Sequence, residues 1–274
     1  MQRIAIHKFS CSDDVNFNKE QYSEFKYGKM SVTVKFAQEL AWRLGLYIMD
    51  TVKEGEEVFI TGAPYNQVPV ASTALAEYTA AFLQRLLLPH SSTRLGEWIT
   101  IKTFKISRQH SYHDDYGNMS AELREKSITG ETFHVEPALL EGKHVICIDD
   151  IYITGAHERR VEKMFDSLNI LSKSLVFAYY AQLTGECDPG IESQLNHAKI
   201  TPVGSAIWEL LAHDIIVNTR LTKYLLSLSR GMFGYVLGAM SPRFRTDLWK
   251  AGLANNYAHH ELYKTNFLLL DQTQ

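Results

Sequence analysis

The 274-residue chain has only three cysteines, Cys11, Cys147 and Cys187, with no Cys-x-x-Cys pair among them. An odd, scattered set excludes a disulfide framework and the familiar zinc spacings. Long hydrophobic runs are also missing. The best candidates, Ser174–Leu183 and Met232–Met240, fall well short of the roughly 18 residues of a membrane span. Met1 to His7 lack the apolar core of a signal peptide, so the expectation is a cytoplasmic protein with no membrane partner. Nor is there an excess of positive charge: 28 Lys and Arg face 31 Asp and Glu, a net charge of −3. Without a broad positive field, no nucleic-acid partner is expected. Internal repeats and low-complexity stretches are absent.

What remains is ordinary globular composition, with 45% hydrophobic residues and length enough to bury a core without covalent staples. Residues 2–9 alternate weakly and suit a short strand. Residues 10–27 are polar and aromatic without a clear period. From Ser31 to Met49 a helical stripe runs through Phe36, Leu40, Leu44 and Ile48. Val58–Thr61 reads as a strand, Val70–Leu88 as a helix stopped by Pro89, and Trp98–Ile106 as a strand. Residues 107–136 form a long aperiodic stretch. Val145–Ile148 is a continuous apolar run, typical of a strand buried on both faces. An amphipathic helix from Ala156 to Leu168 and an apolar strand from Ser174 to Leu183 follow. The alternation predicts an α/β fold, a mainly parallel sheet with helices on both faces. Three parts are expected: an N-terminal segment over 1–29, an α/β core over 30–184 and a helical C-terminal extension over 185–274. In that extension Gly190–His197, Ala206–Ser229 and much of Pro242–His260 read as helices.

The chemistry concentrates in Val145-Ile146-Cys147-Ile148-Asp149-Asp150-Ile151-Tyr152-Ile153-Thr154-Gly155-Ala156-His157-Glu158. A buried strand ends in two carboxylates, a short turn follows, and a helix begins. Unpaired N–H groups and positive dipole charge at that helix start make the turn a phosphate cradle. Gly155 lets backbone approach an anion closely, and Thr154 adds a hydroxyl. The two acids would repel phosphate. They make sense facing sugar hydroxyls, or a metal held by a pyrophosphate, at the carboxyl edge of the sheet.

This stretch resembles the signature with which type I phosphoribosyltransferases bind 5-phosphoribosyl-1-pyrophosphate (PRPP): four apolar residues, two acids, three variable residues, then Thr-Gly-x-Thr/Ser. The match runs from Val145 to Ala156 and departs at His157, where the family has Thr or Ser. The resemblance covers about residues 30–183. It implies the fold above and transfer of a 5-phosphoribosyl group from PRPP to a nitrogenous acceptor, with Mg²⁺ as cofactor and release of pyrophosphate. It implies that Asp149 and Asp150 hold the ribose and the metal, and that Ile153, Thr154, Gly155, Ala156 and His157 bind the 5′-phosphate. The loop holding Ala63, Pro64, Tyr65 and Asn66 occupies the slot of the family's pyrophosphate loop; having no Lys or Arg, it would act through backbone dipoles.

The family also carries a mobile loop that closes over the reaction centre, and residues 105–135 stand in its place. Arg108 is the first candidate there for a catalytic pyrophosphate contact, with Arg124 and Lys126 behind it. His110-Ser111-Tyr112-His113-Asp114-Asp115 has metal-binding residue types, but its spacing fits no established zinc pattern. Tyr112 to Arg124 together with Asp149–Glu158 resembles a bacterial branch of phosphoribosyltransferases encoded near tellurite-resistance and stress genes. Tyr179 and Tyr180 end the last core strand and are expected to stack on the acceptor ring; core packing is the alternative. The hood over the acceptor is expected from residues 1–29, from the tail, or from both. A homodimer is compatible with this picture. The competing reading is a non-catalytic PRPP- or nucleotide-sensing regulatory protein. A phosphatase or kinase lacks its partner motifs.

Overall fold

Five parallel strands organise the molecule. A computed structural model describes residues 2–88, 99–108, 133–185, 190–201, 206–211 and 214–273. The strands are β1 (Gln2–Phe9), β2 (Glu57–Thr61), β3 (Thr100–Thr103), β6 (His144–Tyr152) and β7 (Ser174–Leu183), in the order β1-β7-β6-β2-β3. Every neighbouring pair runs parallel. A two-residue ribbon, β4 (Ser107–Arg108) against β5 (Phe133–His134), stands apart, and the single-turn α4 (Pro137–Leu140) leads into β6.

Side chains alternate across the central strands. Ile146, Ile148, Val176, Ala178 and Tyr180 join one core, with Phe36, Leu40, Leu44 and Ile48 of α2 (Met30–Thr51) and Leu75 and Leu83 of α3 (Ala71–Leu86). Val145, Cys147, Phe177 and Tyr179 join the opposite core, with Val161, Met164 and Phe165 of α5 (Ala156–Ser167). The spacing of four in α2 thus becomes the seam of one core, and the apolar face of α5 the seam of the other.

The N-terminal segment differs from expectation. Residues 2–9 are part of the sheet, paired with β7 from Gln2 to Phe9, so the α/β core begins at residue 2 rather than 30. Residues 19–26, which show no period, form the helix α1 (Lys19–Lys26), capped by the Asn18 side chain, which accepts from the Gln21 N–H. Tyr22, Ser23, Glu24, Phe25 and Lys26 are all buried. A helix enclosed on most sides, polar residues included, carries no amphipathic stripe to read.

After β7 the regular elements among the described residues are helical: α6 (Ile191–Asn196), α7 (Ala206–Leu211), α8 (Thr219–Leu226), α9 (Arg230–Ala239), α10 (Pro242–Ala254), a 3₁₀ turn at Tyr257–His259 and α11 (Glu261–Asp271). The expected helix over 206–229 is two helices. Ile215, between the two, bridges to Lys29, and Asn218 caps the second. The helices of α9 and α11 were not legible in the sequence. Leu221, Leu225, Phe233, Val236, Leu248, Phe267 and Leu270 make a core of their own around Tyr27. Polar ties join this tail to the α/β body. The Asn218 amide donates to Lys26 O, the Ile216 N–H to Gly28 O, and the Thr219 hydroxyl to Val68 O. Gly28 has φ +89°, and a Cβ there would lie 2.1 Å from Ile216 O, so only glycine permits this seam. Among the described residues no helix is long and apolar enough to cross a membrane.

Candidate functional site

Strand β6 carries its two acids to the carboxyl edge of the sheet, where alternation sends them to opposite sides. Asp149 follows Val145 and Cys147 toward α5, and His157 Nδ1 lies 3.1 Å from its Oδ2. Asp150 follows Ile146 and Ile148 toward α1, where its Oδ2 accepts from Lys26 Nζ at 2.6 Å and from the Tyr22 hydroxyl. The Asp150 N–H donates back to Asp149 Oδ1 at 2.9 Å. Both members of the Lys26–Asp150 pair are buried, with side chains 10% and 7% exposed, whereas Asp149 retains 18%.

These surroundings drive the two carboxyls apart. Burial presses Asp150 upward, but the charge and hydrogen bond of Lys26, aided by Tyr22, outweigh it and hold the group below the usual carboxylate range. For Asp149 burial wins over the His157 hydrogen bond, with the Asp150 charge adding to it, and its carboxyl is raised.

The turn after β6 has the geometry its sequence implies. Gly155 adopts φ +70°, ψ 13° as the N-cap of the 12-residue α5, and it places no side-chain acceptor on the first turn. A Cβ at this position would lie 2.9 Å from the Tyr152 ring, so left-handed backbone and close packing both require glycine. Ile153, Thr154, Gly155, Ala156 and His157 line one cavity with Lys26, Asp149, Asp150 and Tyr179. The Thr154 carbonyl accepts from Arg159 Nη1 at 2.7 Å, which steadies the turn.

The β2–α3 loop reaches the same place, for Gly62, Ala63 and Pro64 line a second cavity with Asp149, His157 and Tyr179. Its backbone donors are largely committed, however. The Ala63 N–H donates to Ser72 Oγ, the Tyr65 N–H to Ile106 O, and Pro64 has none. The expected backbone-dipole cradle for pyrophosphate is therefore mostly filled from within. A cation is present instead: Lys105 Nζ donates to Asn66 O and lies 4.2 Å from the centre of the Tyr65 ring.

Several expected roles are not met by placement. Tyr179 and Tyr180 point to opposite faces of β7 and cannot stack on one ring. Tyr180 is stacked on Phe36, with centroids 3.7 Å apart, inside the α2 core. Tyr179 donates its hydroxyl to Glu158 at 2.9 Å, and Glu158 in turn binds Arg3 of β1. Arg108 is buried in the β4–β5 ribbon, its N–H donating to Tyr65 O, and its charge acts on the Tyr257 phenol of the tail. It does not line either acid-pair cavity. Arg124, Lys126 and the 110–115 stretch lie outside the described residues, as does Cys187. Lys26 and Tyr22 were missed in the sequence because nothing in a periodless segment ties them to residues over 120 positions away.

The residues do not fit a divalent cation bound directly on both acids. One oxygen of Asp150 already holds an ammonium and a hydroxyl, and both oxygens of Asp149 have partners. Among the described residues no cluster of three or more His, Cys, Asp or Glu is placed to hold a metal.

Comparison with known proteins sets this geometry in a family. No curated protein matches the chain. Among solved structures, the L. donovani hypoxanthine-guanine phosphoribosyltransferase overlays with a TM-score of 0.35 at 10% identity, covering 56% of this chain and 68% of that one. The Trypanosoma cruzi hypoxanthine phosphoribosyltransferase overlays with a TM-score of 0.36 at 12% identity, covering 57% and 70%. The family model described as "PRTase ComF-like" matches residues 1–270, nearly the whole length that carries the acid pair, its turn and the tail that clasps α1, and the chain belongs to that family.

Proposed function

We propose that the chain binds PRPP at the β6–α5 turn and transfers its 5-phosphoribosyl group to a nitrogenous acceptor. The observation that carries this reading is the glycine-capped start of α5 directly after the acid pair, with both lining one cavity. In the reaction the bond from ribose C1 to pyrophosphate breaks, and its electron pair leaves with pyrophosphate. The acceptor nitrogen's lone pair forms the new bond to C1, and its proton passes to solvent. Positive charge grows on the ribose ring as negative charge grows on the leaving group, so catalysis is mainly positioning and electrostatics.

Placement supports the following roles. The backbone from Ile153 to His157 holds the 5′-phosphate. Asp149, the more exposed acid, takes ribose hydroxyls and faces the developing ring charge. Lys105, which lines a neighbouring cavity with Gly62 and Tyr65, offers a cation for pyrophosphate. The reading is tested by calorimetric titration of PRPP and by pyrophosphate release across a panel of nitrogenous acceptors. Asp149→Asn is expected to weaken PRPP binding by at least about tenfold, as loss of a charge-assisted contact does. Equal affinity in the variant would sink the assignment.

The second reading, PRPP or nucleotide sensing without turnover, is favoured by one feature. Both acids are already paired within the chain. Binding without pyrophosphate release for any acceptor would select it.

A further inference from the structure

From the pairing of Lys26 with Asp150, we infer that Lys26 is a resident countercharge for the acid pair, and that the cradle takes PRPP with no divalent cation on its acids. The inference rests on the reading of the site as a PRPP cradle and adds how that site is neutralised.

Three observations carry it. First, Lys26 Nζ sits 2.6 Å from Asp150 Oδ2, with the Tyr22 hydroxyl on the same oxygen. A metal ion on that oxygen would compete with both donors for its lone pairs, and on Oδ1 it would still sit beside a buried positive charge. Second, Lys26 is held in place. It lies in the last turn of α1, its carbonyl accepts from Asn218 Nδ2 at 3.1 Å, and two residues on Gly28 admits the tail backbone that only glycine allows. Its backbone is thus fixed from both the helix and the tail, and its side chain is buried against Asp150 and the Tyr22 ring. Third, Lys26 lines the same cavity as Thr154, Gly155 and His157. An ammonium has three donors, and Asp150 Oδ2 takes one. His157 Nδ1 lies beside Asp149 Oδ2, at the position where the sequence departs from Thr or Ser.

The consequence is a division of labour unlike a metal-bridged acid pair. Asp150 anchors Lys26, Lys26 supplies positive charge beside the ribose and pyrophosphate, and Asp149 is left for the ribose hydroxyls. Lys26 is therefore a binding residue contributed from the N-terminal segment, and the tail decides its position through Asn218.

PRPP titration in EDTA and in excess Mg²⁺ tests this. Wild type is expected to bind with dissociation constants within about threefold of each other. Lys26→Met should weaken binding in EDTA by at least about tenfold and recover part of it in Mg²⁺, once the freed carboxylate can take a cation. Wild-type binding seen only with Mg²⁺ overturns the inference and leaves the PRPP cradle standing. No binding under either condition overturns the cradle itself. A second measurement does not depend on Lys26→Met folding: the electron paramagnetic resonance signal of free Mn²⁺ should be unchanged by the wild-type protein without PRPP. Stoichiometric Mn²⁺ uptake that Asp150→Asn abolishes would also overturn the inference.

Discussion

The two sides of the sheet's carboxyl edge treat their acids in opposite ways. On the α1 side Asp150 is enclosed, with Lys26 and Tyr22 on one oxygen and the tail locking the helix that brings them. On the α5 side Asp149 keeps contact with solvent, beside a helix start capped by a glycine with no side-chain acceptor. Adjacent residues on one strand thus stand in different surroundings, one tied into the fold and one left at the cavity. The contrast teaches that a paired-acid motif is not a symmetric device once each acid has met its own face of the fold.

The contrast predicts unequal mutational outcomes. The largest effect is expected from Asp150→Asn, which strands the Lys26 charge in a buried site. Such breaks cost about 3–5 kcal/mol, and chemical denaturation at neutral pH would show it. Asp149→Asn should leave the melting temperature unchanged or higher, because burial already opposes its charge. Similar stability losses for the two variants would erase the distinction between the two faces.

Next in size is Gly155→Val. Left-handed backbone costs a non-glycine residue about 1–3 kcal/mol, and the added side chain meets the Tyr152 ring. If the proposed cradle holds, PRPP affinity should fall by at least about tenfold along with that stability, since the turn itself is displaced. Unaltered affinity would place the phosphate elsewhere.

Acidification separates the same two groups by sign. Asp150 sits below its ordinary value in the folded chain, so its contribution is present above the unfolded carboxyl pKa of about 4 and fades as pH falls below it. Asp149 is raised, so its ionisation opposes folding and that opposition lifts on acidification. The stability gap between wild type and Asp150→Asn should therefore narrow below about pH 4, read from melts across a pH series. A gap independent of pH would mean that the ion pair is not its source.

The smallest effect is expected at the β2–α3 loop. Ser72→Ala removes the acceptor of the Ala63 N–H and should cost about 0.5–1.5 kcal/mol. PRPP affinity should move less than about threefold, because that donor is not assigned to the ligand. A larger change would return the loop to the anion site.

Much of this was legible in the chain. The apolar run before Asp149-Asp150, the Thr-Gly turn and the stripe of α2 are local patterns whose period matches the structure they form. The β1 strand was visible as a strand, yet its place in the sheet was not, since pairing with β7 joins residues more than 170 positions apart. The helix α1 was silent because a helix buried on most sides shows no period. The opposite facing of Tyr179 and Tyr180 follows from strand alternation alone and could have been read at once.

The sequence by itself determined the α/β order, the acid pair and a turn that only glycine can make, because these depend on contacts within a dozen residues. Only the tertiary structure decided what the acids meet. Lys26 reaches Asp150 across 124 positions and Arg3 reaches Glu158 across 155. Charge pairing over such separations leaves no mark in local composition; it exists only once helix and sheet have packed and low-dielectric burial makes each partner necessary to the other.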